Sequence, residues 1–382
     1  MAHHETPHVE VLLSACRLAL GISDGTALTL TSDEWDAAVT AALHHGLIWP
    51  LEKLSRQVDG LPNQVRARIR AGLQAQAAQN LQLVDALLEI VGVFRSRGIT
   101  SAVLKGPAVA QITTGKIATR EFTDLDILVH FEDVEIAIFA LSSLGYRQMD
   151  EYQCAFRSIR RRKHITFVND VDRVFVELHW ALNPADSRFP LESTGIWTRL
   201  QTICIHRESL RTLGMEDTLL ALCVHGSIHA WESLKWIFDI AQLMNDRAVA
   251  IDWNALFLRS QTAGCSRSLL VGIRLAAELF RVKEPDLLNG LKDACATEIV
   301  GRFRDSILGK RILSTVETTT FRIQVHDRLW DRMVLASVLL VRRLPPTIAD
   351  PTAAGPLWVV IRPVRLLQSY GLGWLRGAIM AR

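Results

Sequence analysis

The chain has 382 residues, 49% of them hydrophobic and 22% charged, with a formal net charge of +3. That length exceeds one small domain and supports more than one core, and the composition excludes a disordered or fibrous chain. The charge is too small for the whole-chain balance to argue for nucleic acid or a membrane surface.

The first eighty-odd residues read as helical. Apolar periodicity predicts a helix over residues 9–20, a second opening at Ser32-Asp33-Glu34 with Ser32 as its cap, and a long one over residues 63–97 that Gly98 ends. Residues 100–104 are short and apolar and read as a strand running into Lys105-Gly106-Pro107. A proline lacks the N–H that would be unpaired in a first helical turn, so a short helix is predicted over residues 107–114, stopped by Gly115. Residues 125–129 read as a strand, 132–144 as an amphipathic helix ending at Gly145, and 146–149, 164–168 and 174–180 as strands. Asn169-Asp170-Val171-Asp172 is turn chemistry and makes the last two a hairpin. Helices are expected again beyond residue 191, at 217–228, 234–245, 253–262, 266–279 and 327–343, the last broken by Pro345-Pro346. The expected organisation is an N-terminal helical region (1–97), an α+β core (98–185), a C-terminal helical domain (186–343), and a loop and tail (344–382).

Cys16, Cys154, Cys204, Cys223, Cys265 and Cys295 are scattered without a C-x-x-C pair, so reduced, mostly buried thiols are expected rather than a zinc site or a disulfide framework. No basic segment followed by an apolar run marks a signal peptide, and the apolar run at residues 333–341 is about half of the ~20 residues that a membrane-spanning helix needs. A cytoplasmic protein with no membrane span is the expectation.

Asp124 and Asp126 flank Leu125 in the strand at 125–129. Alternation points both carboxylates to one face while Leu125 and Ile127 enter the core. Two like charges side by side cost stability unless compensated, and a divalent cation compensates them most simply; a solvated strand face is the alternative. Glu177 is the odd charge of Val174-Phe175-Val176-Glu177-Leu178-His179-Trp180, sharing a face with Phe175 and His179, and is either a third carboxylate or a surface glutamate. Lys105-Gly106 precede a helix N-terminus, where free N–H groups and the helix dipole favour a phosphate, although many such turns carry glycine for structural reasons alone. Arg120 can pair with a triphosphate or balance the carboxylates.

His225 and His229, one helical turn apart, lack a third metal ligand at a suitable spacing and read as interface histidines. Trp231 and Trp236 read as core or interface, and Asp239 as a helix cap or a partner that orients a histidine. Arg157, Arg160, Arg161, Arg162, Lys163 and His164 form the strong basic cluster, a solvated run by default, or else a contact for an acidic acceptor, a nucleic acid end or a triphosphate tail.

Leu104-Lys105-Gly106, then Arg120, Thr123 and Asp124-Leu125-Asp126-Ile127-Leu128-Val129, resemble the uncharacterised bacterial nucleotidyltransferase family of the polymerase β-like superfamily, whose pattern reads L-K-G, a helix, then R-x-x-S-D-[IL]-D-[IL]-L-V. The resemblance extends to Glu177-Leu178-His179-Trp180 and to His225, His229, Trp231, Leu234, Trp236 and Asp239. It implies a small mixed sheet flanked by N- and C-terminal helical domains. It further implies that Asp124, Asp126 and Glu177 are catalytic and hold two Mg2+ ions, and that Lys105, Gly106, Arg120 and Thr123 bind a nucleoside triphosphate. The implied reaction transfers an NMP group from the NTP to an acceptor hydroxyl or phosphate on a small molecule, saccharide, peptide or protein. RNA is the weaker acceptor, because no aromatic residues interleave with the basic cluster. Two positions depart from the pattern: Gly106-Pro107 stands where the wider superfamily has Gly-Ser or Gly-Gly, and Thr114 where the family often has Tyr. The rival readings are a non-catalytic binding or regulatory protein, for which Pro107 is the hint, and a toxin-like enzyme that modifies tRNA, for which the basic cluster is.

Overall fold

A computed structural model describes residues 7–22, 30–149, 163–183, 189–191, 195–245, 251–288 and 293–342. Cys154, the arginines of the basic cluster and the loop and tail at 344–382 lie outside the described residues. Three helices open the chain, α1 (Pro7–Ala19), α2 (Ser32–His44) and α3 (Ile48–Ser55). Thr31, one residue ahead of the expected cap, holds the start of α2: its hydroxyl accepts from the Glu34 N–H, and the Glu34 carboxylate accepts from the Thr31 N–H. Helix α3 is not predicted from the sequence, because eight residues interrupted by Pro50 are too few to show a 3.6-residue period.

Helix α4 (Asn63–Ser96) runs 34 residues and, unlike the run at 333–341, is long and apolar enough by composition to cross a membrane. Here it ties two cores together, with Val65 and Ile69 in the helical one and Leu83, Leu87, Ile90 and Phe94 against the sheet. Its polar residues reach the loop before Asp124. Gln76 Nε2 donates to the Ala118 carbonyl and Asn80 Nδ2 to those of Ile117 and Arg120, each at 2.8 Å.

Seven strands form one mixed sheet: β1 (Ser101–Val103), β2 (Leu125–Val129), β3 (Arg147–Gln148), β4 (His164–Asn169), β5 (Val174–His179), β6 (Gln201–Ile205) and β7 (Glu208–Thr212). Their order across the sheet is β3-β4-β5-β2-β1-β7-β6. Helix α5 (Gly106–Thr114) follows β1 and α6 (Val134–Ser143) follows β2. This is the expected α+β class, with a correction: the chain beyond residue 191 is not all helical. β6 and β7 pair antiparallel and β7 lies parallel beside β1, Val103 opposite Thr212, so the sheet continues past residue 185. The β6–β7 turn is His206-Arg207 at φ 49° and 70°, a left-handed pair that Asn-Gly ordinarily supplies, so the hairpin leaves no turn signature to read.

Alternation divides the central strands cleanly. Leu125, Ile127, Val129, Val174, Val176 and Leu178 share the core with α4 and α6, while Leu128 on the other face joins Ala102, Leu104 and Leu213 in a small separate cluster. Helices α7 (Met215–Ile228), α8 (Leu234–Asn245), α9 (Trp253–Ala263) and α10 (Ser266–Phe280) occupy the predicted spans. Helices α11 (Ala294–Ile307) and α12 (Thr315–Gln324) are not predicted from the sequence; α13 (Leu329–Arg342) closes the described chain. One hydrophobic core takes side chains from α1 to α3 and from α7 to α12. The helical segments before and after the sheet in sequence are therefore packed together.

Candidate active site

β2 and β5 run parallel with Asp126 opposite Glu177 and Leu128 opposite His179, which brings side chains fifty residues apart to one sheet face. Asp124 stands one residue before β2 on that same alternation. The face opens into a cavity of about 520 Å³ bordered by Lys105, Gly106, Arg120, Thr123, Asp124, Asp126 and Glu177. Gly106 has a φ of 41°, a region in which an L side chain is strained, and it begins α5 with no side-chain cap on the helix. Pro107 follows in the first turn, as its missing N–H allows.

Asp126 is 5% exposed, and its Oδ1 meets Lys105 Nζ at 3.1 Å and His179 Nε2 at 2.9 Å. Burial alone would raise its pKa, but these two cationic partners hold it well below the usual carboxylate range. His179 Nε2 also lies 3.0 Å from Glu177 Oε2, and Nδ1 lies 3.3 Å from the Ala181 carbonyl. Carboxylates and carbonyls only accept, so these contacts favour a proton on both ring nitrogens. Against the opposing effect of burial, these bonds raise the His179 pKa and lower that of Glu177. Asp124 differs: burial first, then the charge of Asp126, raises its pKa, with Lys105 opposing.

Arg120 lies at the cavity wall, and its closest carboxylate partner is none of Asp124, Asp126 and Glu177. Its Nε meets Asp239 Oδ1 at 2.9 Å and its second amino group meets Oδ2 at 2.9 Å, a bidentate pair between two buried side chains. Among the described residues, Asp239 in turn neither caps a helix nor bonds a histidine. The pairing joins the loop before β2 to α8, and across 119 residues nothing local in the sequence announces it.

The wall facing the carboxylates comes from α7 and α8. His225, His229 and Trp236 pack ring on ring, with centroids 4.6 Å apart for the two imidazoles and 4.9 Å for His225 against Trp236, and all three border the cavity. Burial and then Lys105 lower both imidazole pKa values, which favours the neutral rings. Of the two tryptophans read as core or interface, Trp231 is core, its ring seated on Gly226 and Gly272, and Trp236 belongs to the site. Lys235, Asn183 and Thr212 are further lining residues that the sequence leaves unassigned, and Lys163 and His164 of the basic cluster join them. Lys163 has no ion pair among the described residues, and burial and then Lys105 lower its pKa. The signal was present: Lys163 belongs to the basic cluster that runs into β4.

The donor set suits a divalent cation. Three carboxylates and an imidazole converge where Lys105 and His179 now compensate the charge, and Asp124 retains a carboxylate that its neighbours disfavour. A second grouping, His164, Glu177 and His179, brings donor atoms within 4.8 Å of one another.

The chain is an enzyme of the nucleotidyltransferase class. It belongs to the family described as uncharacterised nucleotidyltransferase, whose model matches residues 31–281. Similar solved structures are distant. The solution structure of the antibiotic-resistance factor ANT(2'')-Ia is 15% identical with a TM-score of 0.36, over 49% of this chain and 95% of its own. The crystal structure of ANT(2'')-Ia with adenylyl-2''-tobramycin is 13% identical with a TM-score of 0.27, over 58% and 97%. An antigenic nucleotidyltransferase-like protein from Paracoccidioides brasiliensis is 14% identical with a TM-score of 0.35, over 53% and 93%. No curated protein matches the chain.

Proposed function

We propose that this enzyme transfers an NMP group from a nucleoside triphosphate to a hydroxyl or phosphate of a small molecule, saccharide or peptide, with Asp124, Asp126 and Glu177 as the catalytic carboxylates. The observation that carries the reading is the parallel pairing of β2 with β5, which sets Glu177 beside Asp126 on the face that Asp124 shares, at the edge of a cavity of small-molecule size. The three carboxylates would hold one or two divalent cations such as Mg2+, and such cations supply charge neutralisation for the reacting phosphate and the leaving pyrophosphate. Lys105 and Lys163 provide the fixed positive charge for the polyphosphate, and Gly106 lets the backbone at the start of α5 approach it. Thr123, exposed at the cavity edge, is placed to meet the nucleotide. Arg120 serves as a positioning residue through Asp239.

The acceptor enters between the carboxylate face and the wall of His225, His229 and Trp236. Flat neutral rings suit a ligand that is stacked and hydrogen-bonded there.

Incubation of the full-length protein with each α-labelled NTP, Mg2+ or Mn2+ and a cell extract tests the reading. Label passes to an acceptor with the wild type and falls by at least about 100-fold in the Asp124→Asn, Asp126→Asn double variant. Label transfer that persists undiminished in that variant overturns the assignment.

A further inference from the structure

His179 is more than a neighbour of the carboxylates. Its Nε2 stands 2.9 Å from Asp126 Oδ1 and 3.0 Å from Glu177 Oε2. Adjacent donors around an octahedral cation with bonds of ~2.1 Å sit about 3.0 Å apart, so both separations from Nε2 match neighbouring positions on one coordination sphere. The ring is 1% exposed and its Nδ1–H is held by the Ala181 carbonyl at 3.3 Å. A backbone carbonyl on one ring nitrogen is the arrangement that leaves the other as a metal ligand and fixes its direction. On the far side of Glu177, His164 Nε2 lies 3.6 Å from Oε1, and its buried Nδ1 has no partner.

We propose that His179 Nε2 is a direct ligand of the cation held by Asp126 and Glu177, making a mixed nitrogen and oxygen site that prefers Mn2+ to Mg2+. The proposal rests on the carboxylate assignment under Proposed function and deepens it. The Nε2 proton leaves to solvent as the metal–nitrogen bond forms, Nδ1–H stays on Ala181, and no other bond changes. Mg2+ seeks oxygen donors, whereas Mn2+ accepts both carboxylate and imidazole.

Pulsed EPR on the full-length protein with Mn2+ alone tests this. The wild-type complex shows the electron-spin-echo modulation of a directly bound 14N, and labelling histidine with 15N changes it. The modulation is absent in His179→Gln, which also binds Mn2+ at least about tenfold more weakly, and is retained in His164→Gln. Absence of bound Mn2+, or of nitrogen coupling in a wild-type complex that Asp126→Asn abolishes, overturns the proposal. So does coupling that survives in His179→Gln and vanishes in His164→Gln. Should His179→Gln fail to fold, the His164→Gln spectrum decides, retained coupling supporting the proposal and lost coupling overturning it. Mg2+-dependent label transfer without nitrogen coupling leaves the transferase reading in place and removes this one, and coupling without label transfer does the reverse.

Discussion

Asp124 is the carboxylate of the three that its surroundings push toward protonation, through burial and the charge of Asp126. An acid whose pKa rises on folding costs the native state stability while it is ionised. That cost is present above the folded pKa and disappears as pH falls below about 4, where aspartate is protonated in the unfolded chain as well. In metal-free buffer, Asp124→Asn should therefore be more stable than the wild type by about 0.5–1 kcal/mol at pH 7 in urea unfolding, with the difference closing below pH ~4. An unchanged or lower midpoint at pH 7 counts against the charge conflict. The same residue that loses activity would gain stability, as happens where a site stores unfavourable charge. At this scale the three carboxylates were legible, because period-two alternation puts a charge on a definite strand face. The contact of His179 with Asp126 was not, since it depends on which residue of β2 stands opposite which residue of β5, a register that neither strand encodes alone.

Among the elements, the β6–β7 hairpin shows what a sequence pattern conceals. His206 and Arg207 are exposed and adopt positive φ without the residues that do so cheaply. Replacing them with Asn-Gly should raise stability by about 1 kcal/mol in thermal or urea unfolding, with label transfer unchanged because neither side chain borders the cavity. A decrease would mean that these two side chains hold the turn by contacts of their own. The other missing elements have different causes. The box of Ser314 with Glu317 at the start of α12 stood in the sequence as S-x-x-E and was readable, whereas α3 is short and carries Pro50. Strands β1, β2, β4 and β5 were legible because each is apolar, short and bounded by glycine, asparagine or aspartate.

For the whole molecule, the helices before and after the sheet fill one core, and Arg120 with Asp239 joins that body to the loop entering β2. Removing one partner of a buried ion pair strands the other charge. Asp239→Ala should cost about 3–5 kcal/mol in denaturant unfolding. A cost below about 1 kcal/mol would show that water reaches Arg120. The linear reading of two helical domains on either side of a sheet could not show this union, because apolar periodicity says that a helix has a buried face without saying what covers it.

All three carboxylates lie between residues 124 and 177, yet the rings opposite them, the anchor of Arg120 and the strand beside β1 come from residues 208–239. The stretch of chain that holds the charges is thus shorter than the stretch that gives them an enclosed setting. An excised 98–185 segment would expose its carboxylate face to solvent on one side. Water there would raise the local dielectric and weaken every electrostatic contact with a bound polyphosphate.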